Sequence, residues 1–389
     1  MKIYEIGTGY TPIPAQMGAA TEIVVEELAR SFLKNGEDAT IIDIKAQNRA
    51  KTDLPICEVG VPSVFTTTDV SLGLMHKLKR VVYSLCLARK LKSILKQTNE
   101  KVVLHFHNQY NLFFFLKLTS KKLLKKATVA YTVHSYIWGD EWGKIEATVR
   151  KKYFQEVFCV RNADLVLVLN DITIDHFVKH LGVEKSKIKK IQNGVNTEKY
   201  SPLSREEVDK FKKELSLENK KIIFQVGSVC DRKNQLGATE MLASFLKQNP
   251  DVYYLYAGGI INGEYQNSIF AFAKENGIEN QVKYVGELAP GEELNRYYNA
   301  ADLSIFPSNL ESFGLVVIEA ISAGTPVLVG GKLMFALGGG YSIYNNEEEF
   351  ISLLETALNT DKSKADCSRF AQDYSWDKVA KEHSNIFSK

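Results

Sequence analysis

The sequence predicts an α/β protein built of two doubly wound domains, each a parallel sheet flanked by helices. Three observations carry this. At 389 residues the chain exceeds what one core accommodates when domains run to about 100–200 residues. Short β-rich runs alternate with longer amphipathic stretches, the pattern of parallel strands joined by crossover helices. That alternation breaks once near the middle and then starts again.

In the first half, residues 2–6, 39–44, 102–106, 128–133 and 165–169 read as strands. Residues 19–34, 75–97, 112–125, 144–161 and 172–181 read as the helices between them. Segment 193–219 opens with Asn-Gly, contains Ser-Pro and is dense in charge, so it reads as a linker. The second series has strands at 222–226, 252–256, 282–285, 303–306 and 326–329, with helices at 235–247, 265–276, 294–300 and 315–323. The expected domains are 1–195 and 196–374, facing each other across a crevice at the carboxyl ends of their strands, where open α/β folds bind ligands.

Composition excludes other classes. With 45% hydrophobic and 24% charged residues, 25 Gly and 9 Pro, the chain is neither disordered, collagen-like nor a disulfide scaffold. Cys57, Cys86, Cys159, Cys230 and Cys367 show no C-x-x-C spacing, and the opening MKIYEIGTGY lacks a signal-peptide pattern, so a cytoplasmic location is expected. No apolar run approaches the roughly 18 residues that cross a bilayer. Charge is uneven: residues 1–195 hold 29 Lys and Arg against 19 Asp and Glu, and the remainder 20 against 27. A basic half points to a polyanion on that side only.

The most informative stretch is PSNLESFGLVVIEAISAGTPVL, residues 307–328. Ser312, Phe313 and Gly314 lie between a strand end and the helix starting at Leu315, where unpaired N–H groups and a positive dipole end form a cradle for phosphate. Glu311 and Glu319 are eight residues apart, about 12 Å along a helix axis at most, so they suit opposite ends of one extended ligand. Alternatively, Glu311 caps the helix and Glu319 is a solvated face residue.

This stretch resembles the E-x7-E motif of the retaining GT-B glycosyltransferases of family 4, and other stretches agree in order across nearly the whole chain. QNGVNTEKYSP (192–202) resembles the family's interdomain segment, residues 282–307 its V-x-F-x-G and A-D-x-x-x-x-P stretch, and the final YSWDKVAKEHSNIF its terminal helix, here 375–389, which crosses back onto the first domain. The resemblance implies a GT-B fold with an acceptor-binding first domain and a donor-binding second domain. It also implies transfer of a sugar from a UDP- or GDP-sugar to a cell-envelope polysaccharide or glycolipid, with retention, no metal and no cofactor.

The resemblance assigns the donor sugar to Glu311, the nucleotide ribose to Glu319, and the diphosphate to the amides of Phe313, Gly314 and Leu315, beside Ser312. The loop GSVCDRKNQ opens with Gly227 and Ser228 and contains Arg232 and Lys233. Lys233 matches a family lysine, but Ser228 stands where the family has arginine, so Arg232 is the expected second cation opposite the leaving diphosphate. In the first loop a family Gly-Gly pair is represented by Gly18 and Ala19, small enough for a close backbone approach. Spacing there does not fit a G-x-G-x-x-G fingerprint.

His107 and His134 end strands in HFHNQ and TVHSY and match family positions: His134 is expected on the transferred sugar and His107 nearer the acceptor, neither as a metal ligand. Among the sequence patterns there is no D-x-D and no zinc spacing. Asp140, Glu141, Trp138 and Trp142 fit either the acceptor side or an exposed loop. Residues 76–97 carry seven Lys or Arg and no acid beside an apolar stripe of Leu78, Val81, Val82, Leu85, Leu91, Ile94 and Leu95, and residues 117–126 add five lysines. This suits either core packing with a solvated basic rim or peripheral contact with an anionic membrane. Phe113 to Phe115 point either to lipid or, as such residues more commonly do, to the core. Two competing functions are a nucleotide-sugar epimerase of the same fold, and a glycan- or nucleic-acid-binding protein. The second is disfavoured because the anion cradle lies in the acidic half.

Overall fold

The computed structural model describes residues 1–15, 19–65, 74–134, 151, 153–309, 311–331, 339–360 and 364–388. They form two compact units, Met1–Asn193 with Trp376–Lys389, and Gly194–Ser375.

The first unit holds seven parallel strands: β1 (Lys2–Ile6), β2 (Asp38–Ile44), β3 (Ile56–Val59), β4 (Val102–Phe106), β5 (Ala127–Val133), β6 (Leu165–Val168) and β7 (Ile188–Lys190), in the order β3-β2-β1-β4-β5-β6-β7. The order reverses between β1 and β4, the switch point at which open α/β sheets bind ligands. Two-residue alternation gives the central strands two different faces. Tyr4, Ile6, Leu104, Phe106, Val129, Tyr131 and Val133 belong to the main core with Leu87, Leu91, Leu95 and Phe115. The alternate positions Glu5, His105 and Thr132 are polar, and the terminal helix Trp376–Phe387 packs against His105 through His383 and Phe387. That helix is tied to the end of helix Ala20–Lys34 by a Lys34–Asp377 ion pair of 2.7 Å.

Several sequence expectations require correction here. Helix Leu74–Gln97 buries Tyr83, Ser84, Leu87, Ala88, Leu91 and Leu95, so of the expected stripe Leu91 and Leu95 are buried, Val81, Val82, Leu85 and Ile94 are half-buried, and Leu78 is exposed. The 112–125 helix is two helices, Gln109–Leu118 and Lys121–Leu124. The Asn108 side chain accepts from the Tyr110 and Asn111 amides and starts the first early, while the extended backbone of Thr119 ends it. Phe115 is buried in the core, with Phe113 packed against it. Of the 144–161 helix, the described part is Phe154–Asn162; residues 144–150 and 152 lie outside the described residues.

The second unit repeats the winding. β8 (Lys221–Val226), β9 (Val252–Ala257), β10 (Val282–Tyr284), β11 (Leu303–Phe306), β12 (Val327–Gly330) and β13 (Tyr341–Tyr344) run in the order β10-β9-β8-β11-β12-β13. Ile223, Tyr254, Leu303, Ile305 and Leu328 form its core with Leu242, Leu246, Ile269, Phe350 and Leu354. The segment read as linker contains a helix, Arg205–Glu214. A capping box between Ser204 and Glu207 starts it, and Phe211 anchors it. Among the described residues no helix is long and apolar enough to cross a membrane.

Candidate functional site

In the second unit the loops after the adjacent strands β8 and β11 are stitched together. Beyond β8 the chain passes Gly227 and makes a short turn, Asp231–Lys233, and Asn234 in the left-handed region opens helix Gln235–Gln248. The Asn234 side chain donates to the Pro307 carbonyl (3.2 Å). In return the Asn309 amide donates to the Arg232 carbonyl (2.9 Å) and its side chain to the Asp231 carbonyl (3.1 Å). Gln225 holds the Lys233 carbonyl at 2.8 Å from inside the sheet.

This stitching brings Lys233, Arg232 and Glu311 together. Lys233 Nζ lies 2.6 Å from Glu311 Oε1, and Arg232 pairs with the same oxygen. Lys233 is buried, with its ammonium 5.1 Å from the Phe306 ring centroid. Burial lowers its pKa, and the Glu311 charge opposes that shift. The lysine stem crosses in front of Gly227, where an added Cβ would lie 3.1 Å from Cδ and Cε. Ser228, where a family arginine was expected, is half-buried, and its carbonyl accepts from the Gln235 side chain at 3.1 Å.

Glu311 is not the cap of helix Leu315–Ser322. The cap position is Gly314, whose φ of 79° an L residue rarely adopts and which has no side chain to cap with. The cap residue itself therefore offers no side-chain acceptor to the first amides. Phe313 is buried beneath that turn, with Ser312 and Leu315 half-buried around it. Glu319, one face further along, is half-buried and accepts from Tyr298 Oη at 3.2 Å. Burial pushes its pKa up to about 7, so it is not the solvated surface residue of the alternative reading.

In the first unit His107 and His134 follow β4 and β5 and are 2.8 Å apart, Nδ1 to Nε2. Behind them sits a residue that sequence reasoning missed, Glu5. Its fully buried carboxylate receives His105 Nδ1 at 2.8 Å and His107 Nε2 at 2.6 Å, and His105 Nε2 meets Thr132 Oγ1 at 2.7 Å. Burial alone would raise the Glu5 pKa, but the two imidazoles hold it at about 2. Burial and the neighbouring His105 push His107 down to about 4, and burial takes His134 well below its ordinary value. Glu5, His105 and His107 are the group among the described residues with metal-ligand atoms close together, all within 4.8 Å. Contacts of 2.6 and 2.8 Å between carboxylate oxygen and ring nitrogen are hydrogen-bond lengths with a proton between them. Two ligands on one zinc at about 2.0–2.1 Å each stand further apart. The missed signal was an acid in the interior of a short β-rich strand.

Ala19, at the start of helix Ala20–Lys34, is half-buried, and its partner Gly18 lies outside the described residues, as do Trp138, Asp140, Glu141 and Trp142. Close by, the buried Glu22 accepts from Thr8 Oγ1, and burial pushes it up to about 7.

Comparison with known proteins matches residues 206–373 to the family described as glycosyl transferases group 1, and residues 21–199 to glycosyltransferase family 4. A relative from Corynebacterium glutamicum, D-inositol 3-phosphate glycosyltransferase, is 26% identical over 67% of this chain and 65% of its own length. The chain thus spans just under two thirds of that relative. Among solved structures, sucrose-phosphate synthase from Thermosynechococcus elongatus superposes with a TM-score of 0.75 at 19% identity, covering 100% of this chain and 98% of that one. Anabaena HepE in complex with UDP and glucose superposes with a TM-score of 0.73 at 18% identity over the full length of both. These two structural matches establish the two-domain GT-B fold.

Proposed function

Because the chain belongs to the group 1, family 4 glycosyltransferases, we propose that it moves a sugar from a UDP- or GDP-sugar to a hydroxyl of a glycan or lipid-linked acceptor, with retention at the transferred carbon. The observation that carries the reading is the convergence of Lys233 and Arg232 on one oxygen of Glu311, in the loops that lead to a helix start with glycine at its cap position. A donor diphosphate supplies the anionic oxygens that these two cations otherwise find in Glu311. The amides of Phe313, Gly314 and Leu315 take its other oxygens. As the glycosidic bond breaks, charge grows on the leaving phosphate, and the paired cations stabilise it without a metal ion.

Glu311, released from its cations, holds hydroxyls of the transferred sugar. Glu319 binds a ribose hydroxyl, and His134 a further sugar hydroxyl. The acceptor attacks on the face that the phosphate leaves, and its proton passes to the leaving oxygen, so positioning and charge supply the rate. The UDP and glucose bound by Anabaena HepE support a nucleotide-sugar donor. The epimerase reading is set aside, because both family matches are to transferases. In this reading the protein works at the cytoplasmic face of a membrane, with Leu74, Met75 and Leu78 exposed at the start of the basic helix as its peripheral contact, and nucleic acid is not a partner.

The test is a thermal-shift screen with UDP-, GDP- and dTDP-sugars, followed by a release assay. One nucleotide class raises Tm by mass action, and free nucleoside diphosphate appears at speed only when an acceptor is added. No shift with any nucleotide sugar, or release that ignores the acceptor, sinks the reading.

A further inference from the structure

Glu5, His105, His107, Thr132 and His134 form one connected polar row, of which the proposed transfer uses only the outer end. Glu5 stands beside His105 in the β1–β4 register, and residues 107, 132 and 134 continue the row at two-residue spacing. The ionised Glu5 carboxylate has no proton to give, so both of its contacts are donated to it, by His105 Nδ1–H and His107 Nε2–H. A neutral imidazole has one N–H. Having committed its proton to Glu5, His107 keeps a lone pair at Nδ1, and the 2.8 Å contact to His134 Nε2 then requires that His134 carry its own proton there. The lone pair of His134 is left at Nδ1.

We infer that Glu5 is a positioning residue which, acting through His107, fixes His134 in the Nε2–H tautomer, so that His134 Nδ1 is presented as a hydrogen-bond acceptor for a sugar hydroxyl. The assignment of the hydroxyl rests on the transferase reading; the tautomer does not. Burial keeps His107 and His134 uncharged near neutral pH, which the alternation of donors and acceptors needs. The remaining groups on the row preserve it. Thr132 donates its hydroxyl proton to His105 Nε2, and His383, whose ring centroid is 5.7 Å from that of His105, spends Nδ1–H on the Val379 carbonyl at 2.8 Å. An acceptor-only nitrogen selects a donating hydroxyl, and the buried anion behind it resists inversion of the order.

Long-range proton–nitrogen spectra of the imidazoles in the 15N-labelled full chain test this, with peaks assigned from His107→Gln and His134→Gln. At pH 7 both histidines read as neutral Nε2–H tautomers. Glu5→Leu, which removes the acceptor, turns the His134 signal into a tautomer mixture and raises KM for the nucleotide sugar about 10- to 100-fold, with kcat less affected. A wild-type His134 that is charged or Nδ1-protonated at pH 7 overturns the inference, as does a Glu5→Leu protein with unaltered His134 tautomer and KM. If Glu5→Leu does not fold, the wild-type spectrum decides alone. A locked tautomer in a protein that transfers no sugar upholds the relay and overturns the hydroxyl assignment.

Discussion

Lys233 and Glu311, 78 residues apart in the chain, meet at 2.6 Å because the loops that carry them follow adjacent parallel strands, β8 and β11, and are tied by Asn234 and Asn309. Neither side chain is free to leave without cost. The buried ammonium has its charge balanced by the carboxylate, and a ligand that displaces one must satisfy the other.

Lys233→Ala is expected to lower turnover about 10²- to 10³-fold, the usual cost of removing a group aimed at developing charge, with the thermal transition retained. Arg232→Ala is expected to lower it as well, by less, because its side chain is about half exposed. Steady-state kinetics of both variants decide. Intact turnover in Arg232→Ala beside a dead Lys233→Ala would show that Arg232 does not replace the arginine absent at Ser228.

Gly258→Ala is expected to destabilise the second unit more than Gly227→Ala does. A Cβ at Gly258, with φ of 136°, would lie 2.2 Å from the Gly227 carbonyl oxygen, which is backbone and cannot swing aside. At Gly227, whose φ of 152° also strains a side chain, the neighbour is the flexible lysine stem, so the loss of Tm is smaller and is joined by a loss of kcat through the displaced Lys233. Melting curves and kinetics of the two variants separate these effects.

Glu156 titrates with the opposite sign to Glu5. It is buried against Tyr131, whose hydroxyl donates to it at 2.9 Å, and burial pushes its pKa up to about 7 from an ordinary 4.5. Its neutral form contributes stability in full below pH 4.5, and that contribution is lost as pH rises through about 7. Glu156→Gln, which keeps the carbonyl acceptor and cannot ionise, is expected to gain Tm relative to wild type between pH 5 and 8. The Glu5 contribution is present above its ordinary value and is lost as pH falls towards about 2. A wild-type-minus-variant difference that is flat across pH 5–8 refutes the Glu156 assignment.

Ser204→Ala removes the capping box of Arg205–Glu214 and is expected to cost about 0.5–2 kcal/mol without altering KM or kcat, since the box bonds Ser204 to Glu207 and to neither Lys233 nor Glu311. Chemical denaturation together with kinetics checks both halves of the statement.

Local pattern alone determined the α/β class, the strands β1, β4 and β11 to the residue, and the helix start beside Glu311. Periodicity and glycine position act over a few residues and survive in a bare sequence. The short strands β3, β7 and β13 were not read from it. Arg205–Glu214 was hidden by its charge, since only Phe211 marks a buried face. Tertiary structure alone decided which distant side chains share a proton or a charge. The pairing of Arg232 and Lys233 with Glu311, and of Glu5 with two histidines about a hundred residues on, depends on which strands lie side by side, because hydrogen bonds and ion pairs act over a few ångströms whatever the separation along the chain.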